Sequence, residues 1–211
     1  MQKAKISEKV IIFETDKQKE IEVIVKAGKN NLEGSISLEH PKDWSVFPTT
    51  QKVQIENKSE EQKLIFTVIP PNNQSEGYLS PKVTVNGKTF TKELIEIDYT
   101  HIPFQTVLLP SESKIVRLDI KKKGDNIGYI KGAGDVVPES LRQIGYNVVI
   151  IDPKDITPEN LSRFDAVVVG IRAYNVLDDL QFKQKQLYDF VENGGNMVVQ
   201  YSKSFGLKTD N

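Results

Sequence analysis

Cysteine is absent from this 211-residue chain, and histidine occurs only twice. The lack of thiols excludes disulfides, thiolate zinc sites, iron–sulfur clusters and cysteine nucleophiles. No apolar run approaches the roughly 20 residues that a membrane-spanning helix needs. The first residues lack the apolar segment of a signal peptide. We therefore expect no membrane span, and the compartment is left undecided.

Metal, cofactor and nucleic-acid sites also find little support. A zinc site needs three or four ligands, whereas His40 and His101 are the only histidines and form no His-x-x-His pair. The net charge is −1, from 28 basic and 29 acidic residues, and a nucleic-acid-binding face would need an excess of basic residues. The chain has no Walker A loop and no Gly-x-Ser-x-Gly elbow. We predict no metal, no cofactor, no nucleic-acid partner and no catalytic residue.

The N-terminal half has the period-two hydrophobic alternation of strands with one buried face. The alternating apolar positions include Ile21, Val23 and Val25; Ile36 and Leu38; Leu64, Phe66 and Val68; and Ile95, Ile97 and Tyr99. Asn86-Gly87 favours a two-residue hairpin turn. Several short strands at this spacing predict an immunoglobulin-like antiparallel β-sandwich over residues 1–110, with Trp44 in its core.

The C-terminal half alternates short apolar runs with helical stretches. The runs 127–130, 148–151, 166–169 and 197–200 lack alternation, which predicts strands buried on both faces. This order predicts a parallel, flavodoxin-like sheet over residues 111–211 with strand order 2-1-3-4. Residues 115–120 form a further strand that fits either domain. Flavodoxin-like sheets usually have five strands, so we expect this α/β unit to be incomplete, with an open edge.

A ligand in such a sheet would lie beyond the carboxyl ends of the first and third strands. The loops there contain six candidate ligand-binding residues: Gly132, Gly134, Asp135, Arg172, Tyr174 and Asn175. Backbone amides at Gly132 and Gly134 could hold an anion, and Arg172, Tyr174 and Asn175 together could clamp a carboxylate or a sugar hydroxyl. Two simpler interpretations stay open. Asp135 would cap the following helix in a tight turn, and the polar groups of the second loop would bind a neighbouring loop or another domain.

Three segments of the α/β unit, residues 127–146, 168–175 and 192–201, carry a resemblance to a known family. They resemble the C-terminal region of large bacterial LmbE/PIG-L-type (GlcNAc-PI de-N-acetylase-like) proteins, of the kind found in Bacteroidetes. In that family a zinc deacetylase domain is followed by a sandwich and then by a class I glutamine amidotransferase-like domain. Trp44-Ser45-Val46-Phe47-Pro48 resembles the NEW3-type sandwich.

The resemblance implies a function for the whole polypeptide, with the zinc deacetylase reaction in an upstream domain. No position here matches the family's metal motif, and amidotransferase chemistry needs a cysteine that this chain lacks. The resemblance thus implies a non-catalytic accessory region: a spacer, a docking module or a module that contacts glycans. Family members are often exported, which implies a periplasmic or secreted location. The alternatives are a small-ligand-binding or hydrolase-type domain, with its site at the crevice and missing groups supplied by other segments, and a purely structural fragment.

Overall fold

The computed structural model describes residues 3–208, and the chain divides into two compact units, Met1–Asp119 and Ile120–Asn211. The first unit consists of strands in mostly antiparallel sheets, and the second is a parallel sheet with helices. The division falls after Asp119, and not near residue 110 as the sequence suggested. The reason is the strand Ser113–Arg117, which pairs with strands of the first unit.

The first unit contains twelve strands within the described residues. They are β1 (Lys3–Ile6), β2 (Val10–Phe13), β3 (Lys19–Lys26), β4 (Leu32–Glu39), β5 (Ser45–Phe47), β6 (Gln51–Ile55), β7 (Glu61–Ile69), β8 (Ser75–Val85), β9 (Lys88–Phe90), β10 (Lys92–Ile97), β11 (Gln105–Pro110) and β12 (Ser113–Arg117). One sheet has the order β1-β3-β7-β5 and a second the order β2-β12-β8-β4-β6, with β9 beside β8. β10 and β11 form a separate two-stranded ribbon.

The two larger sheets share one hydrophobic core, because the inward positions of both sheets belong to a single buried cluster. Val23 and Phe66 come from one sheet, and Ile36 and Val83 from the other. The alternation in β3, β4 and β7 is therefore confirmed as inside–outside alternation. The predicted turn at Asn86-Gly87 joins β8 to β9, and both residues have positive φ.

Trp44 lies in this core, as predicted. It is 2% exposed, and its ring meets the ring of Phe13 edge-on with 5.0 Å between centroids. Its indole Nε1–H donates to Ser75 Oγ at 3.1 Å, so the polar edge of the ring is satisfied. Trp44 is the only tryptophan in the chain, and its fluorescence therefore reports on the first unit alone.

The second unit contains four parallel strands and four α-helices within the described residues. They are β13 (Asn126–Ile130), α1 (Val137–Gln143), β14 (Asn147–Ile150), α2 (Pro158–Leu161), β15 (Ala166–Val169), α3 (Ala173–Val176), α4 (Gln184–Glu192) and β16 (Asn196–Val199). The sheet order is β14-β13-β15-β16, and every pairing is parallel. This is the order 2-1-3-4 that the sequence indicated.

Helices cover the two faces of this sheet, and each face has its own hydrophobic core. α1 packs through Val137 and Leu141 against Tyr129 on one face, and Leu161, Leu180 and Leu187 pack on the other. No helix in residues 3–208 is long and apolar enough to cross a membrane.

The predicted burial of the four strands on both faces is correct only for the two central ones. β13 and β15 are mostly buried, whereas Val149 and Ile150 of β14 and Val198 and Val199 of β16 are exposed. The reason is position, because β14 and β16 are the edges of the sheet. Hydrophobic runs alone do not distinguish an edge strand from a central one.

The helix starts agree with their sequence signals more closely than the helix lengths do. Thr157 before Pro158 predicts a capped helix start, and Thr157 Oγ1 accepts from the Asn160 amide at 3.2 Å at the start of α2. The apolar stripe formed by Leu177, Leu180, Leu187, Phe190 and Val191 predicts one helix. Instead the stretch contains a 3₁₀ segment, Asp178–Lys183, before α4 begins, and Leu177 has an extended conformation.

Truncating Phe13 should destabilise the first unit, because its ring is fully buried against Trp44. We expect Phe13→Ala to lower the free energy of unfolding by about 3–5 kcal/mol. Urea unfolding monitored through the fluorescence of Trp44 measures this change. Ile65→Ala is the matched control, since Ile65 is exposed on β7. Equal unfolding midpoints for the two variants would contradict this packing.

Candidate functional site

The two loops predicted to form a crevice lie against each other at the carboxyl ends of β13 and β15. The Ala133 amide donates to the Ile171 carbonyl at 2.9 Å. A Cβ at Gly132 would lie 2.1 Å from that same oxygen and 2.7 Å from the Ala173 nitrogen. Gly132 therefore allows a close approach of two backbone segments, and the Ala133 amide is bonded within the unit.

The carboxylate of Asp135 is hydrogen-bonded to groups of the same unit. It accepts from the hydroxyl of Tyr129 at 2.7 and 2.8 Å, from the Val137 amide at 3.0 Å and from the Ile171 amide at 3.4 Å. Val137 is the first residue of α1. Asp135 thus holds the start of α1, consistent with the simpler of the two interpretations of this loop, and also joins it to the β15 loop.

Tyr129 is the buried centre of this arrangement. Its side chain is fully buried in β13, and Gln200 Nε2 donates to its hydroxyl oxygen at 3.3 Å. Burial raises the pKa of Tyr129 well above its ordinary value, and the hydrogen bond to Asp135 raises it further. The phenol therefore remains a donor to Asp135 at neutral pH.

Arg172 has the most unusual backbone of the candidate residues. It has a left-handed conformation, with φ 58° and ψ 19°, directly before α3. Its amide donates to the Tyr201 carbonyl at 2.7 Å. Within the described part of the chain, its Nε and the hydroxyl of Ser202 are shielded from solvent without a hydrogen-bond partner. A left-handed non-glycine residue costs about 1–3 kcal/mol and is a reason to examine a site.

Tyr174 and Asn175 are engaged elsewhere. The side-chain Nδ2 of Asn175 donates to the carbonyls of Lys203, Phe205 and Gly206 at 3.2, 3.3 and 3.2 Å, and its Oδ1 accepts from the Lys203 backbone amide at 2.9 Å. Tyr174 packs against the core formed with α2 and α4, where burial raises its pKa. Asn175 therefore fixes the segment 203–206, as the simpler interpretation of this loop predicted, and binding of a ligand by these residues stays a prediction.

Tyr129 and Gln200 were missed from the sequence. Each lies in or directly after an apolar strand, Tyr129 in Ile127–Ile130 and Gln200 after β16. A polar group within a run that is expected to be buried needs a hydrogen-bond partner. That rule would have indicated both residues, although not the carboxylate that they share.

A second concave region of the α/β unit lies at the opposite end of the strands from the two loops. A cavity of about 980 Å³ opens at the amino ends of the strands, and its lining includes Gly124, Ile127, Asp165, Phe190 and Val198. Asp165 lies within it, but the carboxylate accepts from the Asp125 and Asn126 amides, both at 2.8 Å. These two backbone hydrogen bonds lower the pKa of Asp165. No sequence pattern predicted this cavity.

Both histidines belong to the first unit, His40 after β4 and His101 between β10 and β11, and both are exposed. Residues 3–208 contain no group of three or more His, Asp or Glu side chains arranged to hold a metal ion.

The raised pKa of Tyr129 should make the second unit lose stability in alkali. An unfolded tyrosine ionises near pH 10, whereas the folded phenol stays protonated to higher pH. The stabilisation is complete below about pH 10 and is lost as the pH rises toward the folded pKa, by up to about 1.4 kcal/mol per pH unit. Urea unfolding followed by circular dichroism between about pH 9 and pH 11 should show a smaller decrease in Tyr129→Phe than in the parent.

Tyr201→Phe, at an exposed tyrosine, is the control and should retain the parent slope. If Tyr129→Phe has the parent slope as well, the assignment is wrong.

Comparison with known proteins adds little to this geometry. A scan against models of known protein families finds no match. A search of curated proteins finds no similar sequence. The crystal structure of a protein of unknown function from Porphyromonas gingivalis W83 is similar over 61% of this chain, with 9% sequence identity and a TM-score of 0.32. The match covers 60% of that protein. We infer neither a fold nor a function from a similarity of this size.

Proposed function

We propose that this chain is a non-catalytic accessory region of an LmbE/PIG-L-type N-deacetylase-like protein. Its first unit would be an immunoglobulin-like sandwich of NEW3 type, and its second a flavodoxin-like, glutamine amidotransferase-like domain. The proposal rests on the resemblance of residues 127–146, 168–175 and 192–201. The zinc-dependent reaction would belong to an upstream domain of the same polypeptide. The same resemblance is the sole support for a periplasmic or secreted location.

The observation that carries the non-catalytic part is the hydrogen bonding of Asp135. A general acid or base must have its carboxyl group within reach of substrate. Asp135 instead accepts from Tyr129, Val137 and Ile171, all within the same unit. The side-chain amide of Asn175 likewise forms its hydrogen bonds with the segment 203–206. These contacts support a structural task for the crevice residues.

Within the accessory role, docking has more support than glycan contact. A sugar-binding face usually presents aromatic rings side by side. Within the strands of the first unit, the exposed aromatic residues are Phe47 and Tyr78, and β5 and β8 belong to different sheets. Apolar side chains are instead exposed together on β10 and β11. Carbohydrate stays a candidate partner, contacted by a single exposed aromatic ring.

An activity assay on the whole chain tests this proposal. We expect no hydrolysis of N-acetylglucosaminides, with or without added Zn²⁺, above the rate of a heat-denatured sample. Asp135→Asn and Arg172→Gln should give the same background rate. A rate in the parent that both variants abolish would contradict the non-catalytic role and would locate the chemistry at this crevice.

A second candidate function is the binding of a small anion at Arg172. It is favoured by the left-handed backbone of Arg172 and by the shielded Nε and Ser202 hydroxyl, which lack partners within residues 3–208. A buried donor without a partner costs about 1–3 kcal/mol, which a carboxylate or phosphate oxygen would recover. Groups that are absent from this chain would have to supply any hydrolase chemistry.

Titration with acetate and with inorganic phosphate tests this candidate. In NMR spectra of the ¹⁵N-labelled chain, the amides of Arg172 and Ser202 should shift at concentrations up to about 50 mM, a range that covers weak sites. Arg172→Gln should abolish the shifts, whereas Arg163→Gln, at an exposed arginine of the same unit, should retain them. Unchanged spectra in the parent, or shifts that survive Arg172→Gln, would exclude the site.

A further inference from the structure

The ribbon formed by β10 and β11 exposes apolar side chains that the sequence pattern had assigned to a buried face. Ile95 and Tyr99 were expected to face the core, but both are exposed. All six residues of β11 are exposed, with Val107 at 38%, Leu108 at 43% and Leu109 at 42%. A two-stranded ribbon is marginally stable alone in water, and further strands or a packed face stabilise it.

The hydrogen-bond pattern shows which groups form the free edge of β11. β10 and β11 pair antiparallel, with Ile95 opposite Val107 and Glu93 opposite Leu109. The Ser111 amide donates to the Thr91 carbonyl at 2.9 Å, in the same register. Because bonded pairs alternate along an antiparallel ladder, the odd-numbered residues of β11 point their amides and carbonyls toward β10. Thr106 and Leu108 therefore point theirs away from it, where none has a partner among the described residues.

This edge has few of the features by which proteins prevent edge-to-edge pairing. Charged side chains, bulges and prolines are the usual protection. The segment Gln105–Pro110 has no charged residue, and its one proline is the last residue of β11. Two copies of β11 would consequently approach each other without charge repulsion.

We propose that a second copy of this chain pairs with β11, antiparallel and edge to edge, so that the two ribbons form one four-stranded sheet. The two-fold axis passes between Val107 and its counterpart. In this register the backbone groups of Thr106 in one copy bond to those of Leu108 in the other, and four hydrogen bonds form. A register centred on Leu108 would place Thr106 opposite Pro110, which has no N–H to donate.

Side-chain packing agrees with the register centred on Val107. Ile95, Val107 and Leu109 lie on the same face of the ribbon, because paired residues share a face. Joining two copies places Ile95 and Val107 of one copy in line with Val107 and Ile95 of the other, which gives one apolar row across the four strands. This self-association goes beyond the proposed function and depends only on the ribbon, so either can fail without the other.

Cysteine crosslinking tests the register, since the chain has no other thiol. Val107 would face itself across the axis with Cα atoms about 4.5 Å apart, within the range that a disulfide spans. Under mild oxidation, Val107→Cys should form a covalent dimer. Leu109→Cys is the matched control, because Leu109 is similarly exposed but its two copies would lie roughly 13 Å apart. Equal crosslinking at the two positions would overturn the pairing.

Charge substitution at the axis tests the association itself. By sedimentation of the whole chain at about 100 µM, we expect a dimer for the parent. Val107→Lys and Val107→Glu should each weaken dimerisation at least about tenfold, because like charges would face each other. A mixture of the two variants should recover the dimer. Tyr78→Lys, which adds the same charge on β8, should leave it unchanged. A monomeric parent, or a dimer that survives Val107→Lys, would overturn the proposal.

Discussion

The hydrogen bonds of Asp135 are the constraint on which the second unit depends. This carboxylate connects a buried phenol of β13, the first amide of α1 and an amide of the β15 loop. It therefore fixes the two loops that follow neighbouring strands at the place where the strand order reverses. An α/β sheet usually leaves this place open to a ligand. Here the two loops are bonded to each other, and Gly132 allows their close approach.

Hydrophobic pattern and local turn chemistry predicted most of the architecture. The alternation in β3, β4 and β7, the hairpin at Asn86-Gly87, the cap at Thr157 and the parallel strand order are all present in the structure. These signals are local, or follow from the order of elements along the chain. The sequence placed the boundary too early because β12 resembles a strand of either domain until its partners are known.

Features that depend on neighbours in space were not predictable in the same way. The exposure of Val149, Val198 and Ile95 follows from edge positions, which hydrophobicity does not encode. The candidate loops were located correctly, but the sequence could not say that Tyr129 lies beneath Asp135 or that Asn175 binds the segment 203–206. The same residue types serve for ligand binding and for fixing a loop, and only the hydrogen-bond partners distinguish the two.

The two units thus differ in what they leave exposed. In the second unit, most polar groups near the carboxyl ends of the strands have hydrogen-bond partners within the unit. Among the described residues, Arg172 Nε and the Ser202 hydroxyl are exceptions. In the first unit the ribbon of β10 and β11 leaves both backbone edge and apolar side chains accessible. A non-catalytic region that acts through its surfaces is consistent with both observations.

The central claim, that Asp135 is a structural residue bonded to Tyr129, is tested most directly by a double-mutant cycle. The free energy of unfolding of the second unit would be measured for the parent, Tyr129→Phe, Asp135→Ala and the double variant. The account predicts a coupling energy of about 1–3 kcal/mol between the two positions, as for a buried hydrogen bond to a charged group. Additive effects, with a coupling energy near zero, would contradict it.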